Sequence, residues 1–509
     1  MSIRSSAGNV KVKLVAEVEE DRPLADPETP FHVALLGDFS GRGNRGIVET
    51  GGALRSRRAY PIDRDNFSEV LSQLKVELRI PILGKDSPPV ILYVTELDDF
   101  HPDRLFENLD VFNPLKETRH SLKDPATFAV LAKQLDTSAS SAGASAPNKE
   151  TEPASNLLEQ ILDATEDKSP KAIPRPPSDL DDFVKQTVQP HLVSKPHPMQ
   201  AELIAKVDAV IGELMRRILH HPDFQAIEAA WRGLYFLVSQ LETDENLKLF
   251  LLDISKAELT ADLLAADEIT CTGAYQLLIK QTTETSGEEF WAVLAGNFTF
   301  DQTREDTALL SRLAKLARTA GAPFIAAAHP HLLGCDSLAE TPDPDDWSPP
   351  TDSEARGAWK ALRSLPEASF LGLVLPRFLL RLPYGKDTDP VEILDFEEME
   401  AMPRHEEYLW GNPCYACVYL LAQAFSQYGW DFQPGVIQDI SGLPLHIYKE
   451  HGEYRTKPCA ETVLTQRAAE AILDQGIMPL LSFIHQDIVR LARFQSLADP
   501  PKPLRGRWR

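Results

Sequence analysis

Three glycines, Gly41, Gly43 and Gly46, stand in a literal G-x-G-x-x-G after the apolar run VALLGDF at residues 33–39. That spacing could serve a dinucleotide. Glycines let the backbone approach a pyrophosphate, and a helix opening directly after them supplies free N–H groups and positive potential. Asp63 and Asp65 lie near the distance at which an acidic residue would take the ribose. The helix is what the sequence withholds. After Gly46 come IVET, then Gly51-Gly52, then Pro61, and paired glycines cost about 1 kcal/mol each inside a helix. No Lys-Ser/Thr pair follows to make the other kind of phosphate loop. The stretch therefore reads as an exposed turn without nucleotide, with Arg42 and Arg45 free to meet a partner.

Other chemistry-bearing residues lead no further. Cys414-Tyr-Ala-Cys417 has the spacing of redox sites and of half a zinc site, but no second C-x-x-C or C-x-x-H completes four ligands. The pair opens an apolar helix, where cysteine packs as a small core residue. His329-Pro-His331 ends an expected strand and could hold a metal, yet sequence spacing fixes no carboxylate beside it. His405-Glu406-Glu407 lacks the second histidine of a metalloprotease helix. There is no G-x-S-x-G and no triad that spacing would support. Arg377 and Arg381, four apart in PRFLLRLPYG, sit among apolar residues. They should pair with buried acids or reach a partner's carboxylates. No catalytic residue, cofactor or metal is expected, and nothing requires an enzyme.

The bulk properties narrow the partners. At 509 residues the chain has room for two or three domains, and 43% hydrophobic with 25% charged residues is a globular composition. A formal net charge of −24 argues against nucleic acid or an anionic membrane as the main partner. The tail LRGRWR is a local basic patch, read as a solvated terminus. No apolar run of 18 residues spans a bilayer and no signal-peptide core opens the chain, so a cytoplasmic protein is expected. Five cysteines (Cys271, Cys335, Cys414, Cys417 and Cys459) are too few and odd in number for a disulfide framework.

The elements that position these residues follow from periodicity. Val10, Val12, Leu14, Ala16 and Val18 share one face of an alternating strand, which DRPLADPETP detaches from the strand at residues 31–36. A strand so loosely tethered can pair within its own chain or with a neighbour. Asp65 is placed to cap a short helix NFSEVLSQL, followed by strands VELRIPIL and VILYVTEL and helical pieces to about residue 135. TSASSAGASAPNKETEPAS, residues 137–155, has almost nothing to bury and reads as a flexible linker. Between it and a Pro-rich stretch lies NLLEQILDATED, in which Leu157, Leu158, Ile161 and Leu162 fall on one helical face. That island either docks into a partner's groove or folds back on one of the domains. From residue 197 a helical hairpin broken at Pro222 leads into alternating strands and helices. The strands are apolar on both faces, as in a helix-covered central sheet. A final helix is expected near residues 482–495.

At this point longer words become recognisable. FHVALLGDFSGR, YPIDRDNFSEVL and VTELDDFHPDRLFENL resemble the small subunit (TssB, VipA-like) of the type VI secretion contractile sheath. HHPDFQAIEAAWRGLYFLVSQLETDENLKLFLLDISKAEL, APFIAAAHP, FLGLVLPRFLLRLPYG and YLWGN resemble its large subunit (TssC, VipB-like). The resemblance covers roughly residues 9–135 and 156–498, so the chain looks like a fusion of the two. It implies two mixed α/β domains (α/β with α+β elements) of tail-sheath type joined by a disordered linker. The expected organisation is a strand arm at 1–30, a small-subunit domain at 31–136, a linker with a short helix at 137–196, and a large-subunit domain at 197–509.

The resemblance also implies a function. Sheath subunits bind no nucleotide; they polymerise helically around a tube of Hcp, on a baseplate, and contract to drive the tube outward. A ClpV-like AAA+ unfoldase then recycles them by gripping a short helix whose place here is held by residues 156–167. The alternating strand matches the family's inter-subunit strand linkage, and Arg42, Arg377 and Arg381 are candidate interface or buried ion-pair residues. The expected partners are other sheath subunits, the Hcp tube, the baseplate and the unfoldase, with no nucleic acid and no membrane insertion. The large subunit normally continues past the position of residue 498 with strands of the linkage. This chain stops at LRGRWR, which raises the alternative of a non-polymerising adaptor, cap or regulator that binds a full sheath by strand addition.

Overall fold

The computed structural model describes residues 25–82, 88–124, 127–128, 198–280, 290–348, 352–399 and 402–508. Its centre is a nine-stranded sheet. The strands are β1 (Phe31–Gly37), β2 (Tyr60–Ile62), β5 (Leu247–Asp253), β6 (Trp291–Phe300), β7 (Phe324–Ala328), β8 (Leu371–Leu375), β11 (Asp439–Ile440), β14 (Ile477–Ser482) and β15 (Val489–Leu491). The order is β11-β15-β14-β8-β7-β6-β1-β5-β2. The six central strands run parallel, and antiparallel β2 on one side and β15 and β11 on the other close the edges. Three two-stranded ladders stand apart: β3 (Val76–Ile80) with β4 (Val90–Val94), β9 (Phe378–Leu379) with β10 (Trp410–Gly411), and β12 (His446–Glu450) with β13 (Glu453–Lys457).

Helices cover both faces, as the unbroken apolar strands require. The helices are α1 (Phe67–Leu74), α2 (Pro102–Asn108), α3 (Asn113–Lys123), α4 (Pro198–Leu219), α5 (Pro222–Gln240), α6 (Lys256–Ala265), α7 (Arg304–Ala320), α8 (Ser353–Arg363), α9 (Cys414–Tyr428) and α10 (Gln466–Asp474). Phe31, Val33 and Leu35 of β1 join one core with α5 and α9, while Ala34 and Leu36 join a second core with α6 and α7. All seven β1 residues are buried.

The mixed α/β class stands as expected. What the spacing did not give is how the two segments meet. β5 and β6 are consecutive strands of the second segment, and β1 of the first segment lies between them. Phe31 to Gly37 pair in register with Leu247 to Asp253 on one side, and β6 pairs on the other. Without β1 the two neighbours would each expose a row of backbone donors and acceptors.

Two local expectations are corrected. Asp65 does not cap α1. The Asp63 carboxylate accepts from the N–H groups of Asp65 and Asn66, both at 2.9 Å, and the helix begins at Phe67. The expected helix at 482–495 is extended chain instead. β14 ends at Ser482, His485 turns with φ 60, and β15 returns antiparallel to β14. Pairing with the sheet edge buries Val489 and Leu491 and overrides the weak helical spacing.

Candidate functional site at the junction of the two segments

The glycine motif forms a turn that binds its own side chain. The Asp38 carboxylate accepts from the N–H groups of Gly41, Arg42 and Gly43 at 2.8, 2.8 and 2.7 Å. Those are the donors that would otherwise cradle a phosphate. Gly41 has φ 81, and a Cβ there would stand 2.3 Å from the Glu77 carbonyl oxygen. The first helical element after the motif is a single turn, Gly52–Arg55. The adjacent cleft of about 370 Å³ presents Asp38 and Asp223 against Lys256. That ammonium is already held by Asp306 at 2.6 Å and the Thr299 carbonyl at 2.7 Å. A phosphate would meet negative charge and spent donors.

Arg42 and Arg45 are not free. Arg42 donates through Nε and Nη2 to Glu258 at 3.2 and 3.1 Å and also pairs with Glu49, and Arg57 pairs with the same two carboxylates. Arg45 donates to the carbonyls of Gly41 and Ser40 and lies 3.7 Å from Glu77. Glu258 is fully buried at the start of α6, where Ser255 and Glu258 make a capping box. Burial pushes its carboxyl up, but Arg57, the Ser255 N–H and Arg42 outweigh that and hold it at about 2. Beside it, Asp253 accepts from the Phe39 N–H (2.9 Å), the Ser40 N–H (3.1 Å) and the Ser40 hydroxyl (2.7 Å). Burial still pushes the Asp253 carboxyl above its ordinary value. Trp231 Nε1 donates to the Phe39 carbonyl at 2.8 Å. From the glycine turn, bonds reach Glu258, Asp253 and Trp231 of the second segment, while others close the turn itself or meet Glu49 and Glu77 of the first. The capping box was legible as S-x-x-E, whereas Arg57, Asp253 and Trp231 carried no signal that they would meet here.

Arg377 and Arg381 enter two separate networks. Arg381 donates to Glu228 at 2.8 Å and to both oxygens of Glu398 at 2.7 and 3.0 Å. Arg232 joins through Glu228 (2.7 Å) and the Tyr384 hydroxyl (2.8 Å). Arg377 takes Glu461 through Nε and Nη2 at 2.9 and 2.7 Å. Glu461 also meets His405 at 3.1 Å, whose other ring nitrogen lies 3.0 Å from Lys457. Burial pushes Glu398 and Glu461 up, and their cationic partners bring both to about 2. Arg381 ties the loop after β8 to α5, and Arg377 ties the same loop to the chain that follows β13.

The remaining motifs are placed as follows. Cys414 and Cys417 are fully buried, and burial pushes both thiols up, away from the thiolate that redox or zinc chemistry needs. His405 opens a 3-10 turn and is committed to Glu461. His329 and His331 meet a carboxylate that spacing had not predicted, Asp301. The alternating strand of Val10, Val12, Leu14, Ala16 and Val18 lies outside the described residues, as does the helix face of Leu157, Leu158, Ile161 and Leu162. Among the described residues, no helix is long and apolar enough to cross a membrane.

Comparison with known proteins finds matches to two stretches of the chain. A family model described as the VipB tail sheath N-terminal domain matches residues 201–498. A second, described as VipA of the type VI secretion system, matches residues 5–139. The type VI secretion system sheath protein TssC1 of Pseudomonas aeruginosa is 35% identical over 304 residues, which cover 58% of this chain and 61% of that protein. The chain belongs to the type VI secretion tail sheath family, with the segments of its small and large subunits carried in one polypeptide.

Proposed function

We propose that the chain is a cytoplasmic, non-enzymatic sheath protomer that assembles helically around an Hcp tube and drives it outward by contraction. The observation that carries the reading is β1 of the first segment lying between β5 and β6 of the second. A protomer with both halves in one sheet can bear load along its strands without the halves separating, which contraction demands. The alternating strand at residues 10–18 then links protomers by adding to a neighbour's sheet edge, and the leucine face at 157–162 is the grip for a ClpV-like unfoldase. Baseplate contact follows from the same role.

Negative-stain electron microscopy of the purified chain, alone and with Hcp tubes, tests this. Long hollow filaments, or tubes sheathed along their length, are the expected result. Monodisperse particles in both samples would overturn it. If those particles bind a preformed sheath, the chain acts as an adaptor or cap.

A further inference from the structure

We propose that Asp301, His329 and His331 form a site for one divalent transition-metal ion of the zinc type, at the C-terminal edge of the central sheet. The backbone builds the site. β6 and β7 run parallel with Phe300 opposite Ala328, and the His329 N–H donates to the Phe300 carbonyl at 2.8 Å. The residues that follow the two strand ends, Asp301 and His329, are therefore held beside each other by the ladder. Pro330 opens a 3-10 turn, Pro330–Leu333, that turns His331 back. Its ring centroid is 4.0 Å from that of His329. One ligand atom from each of the three residues lies within 4.8 Å of the other two, and Asp301 Oδ2 is 2.8 Å from His331 Nδ1.

Two imidazoles and a carboxylate are a donor set for zinc, cobalt or nickel rather than for magnesium or calcium. Metal–ligand bonds of about 2.0–2.2 Å put neighbouring donor atoms roughly 3–3.5 Å apart. The present spacing reaches that with small side-chain shifts. His331 is half exposed, so an ion can enter and keep water in its open positions. Asp336, 3.2 Å from His331 Nε2, adds negative charge on the ring's other side. As it stands, Asp301 and His331 form an ion pair, and the His331 N–H donates to His329 Nδ1 at 3.3 Å. An ion would replace the proton shared by Asp301 and His331.

The test uses the tag-free full chain, stripped with a chelator and titrated with Co²⁺ and Zn²⁺. One equivalent of each is expected, with the Co²⁺ complex showing d–d bands and no thiolate charge-transfer band. His331→Ala and His329→Ala should each weaken binding tenfold or more while the circular dichroism and melting of the metal-free chain stay unchanged. His331→Gln serves if the alanine variant does not fold. Absence of stoichiometric binding, binding unchanged in the histidine variants, or a thiolate band would each overturn the site.

Discussion

Arg381 is the only cation that touches both Glu228 and Glu398 among the described hydrogen bonds, and all three are buried. Removing one partner from such a group leaves uncompensated charge in a medium that solvates it badly. Arg381→Met is therefore expected to cost about 3–5 kcal/mol, seen as a lower urea midpoint at unchanged slope. A midpoint equal to the parent's would refute the assignment. The carboxylates also set an acid limit. Glu258, Glu398 and Glu461 are held at about 2 against an ordinary 4.5. A depressed acid contributes stability that is complete above its unfolded value and is lost as pH falls toward the folded one. Stability should therefore hold down to about pH 5 and fall steadily toward pH 2. Thermal melts across that range would show it, and a flat profile would contradict it.

At the scale of elements, the packing of α5 on α9 turns on one residue. A Cβ on Gly233 would stand 2.4 Å from Tyr415 Cε2, and the Tyr415 hydroxyl donates to the Ala230 carbonyl at 3.1 Å. The glycine lets the two helices approach closely over the face of the sheet that receives β1. Alanine is the better helix former by about 1 kcal/mol, but overpacking typically costs about 1–3 kcal/mol. Gly233→Ala should therefore lower the melting temperature, and a stabilised variant would show that the rings give way easily. The same scale explains the lost helix at 482–495. Its apolar spacing suits a helix, but the free edge of β14 offers hydrogen bonds and a buried site for Val489 and Leu491.

For the whole molecule, the two segments share one sheet and both cores that flank it, so they should behave as one cooperative unit. A protease site placed within residues 137–155 allows the covalent link to be cut without touching the sheet. After cleavage the two fragments should co-elute in size-exclusion chromatography and separate only in denaturant. Fragments that part under native conditions would show that the interleaved sheet depends on the tether. Covalent fusion then serves mainly to raise effective concentration during folding.

The sequence by itself determined the family, the helix-covered sheet and the lack of a long helix opening directly after the glycine motif. Each rests on local chemistry: long matching words, strands apolar on both faces, and the paired Gly51-Gly52 soon after Gly46. Only the tertiary structure decided that β1 enters between β5 and β6, that Arg42 and Arg57 converge on Glu258, and that Asp301 stands beside His329 and His331. These are contacts between residues far apart in the chain. Charge type and periodicity state that an arginine needs a partner or that a strand needs neighbours, and they leave open which ones. Strand order and register make that choice, by pairing backbone groups across the sheet and filling the cores on both its faces.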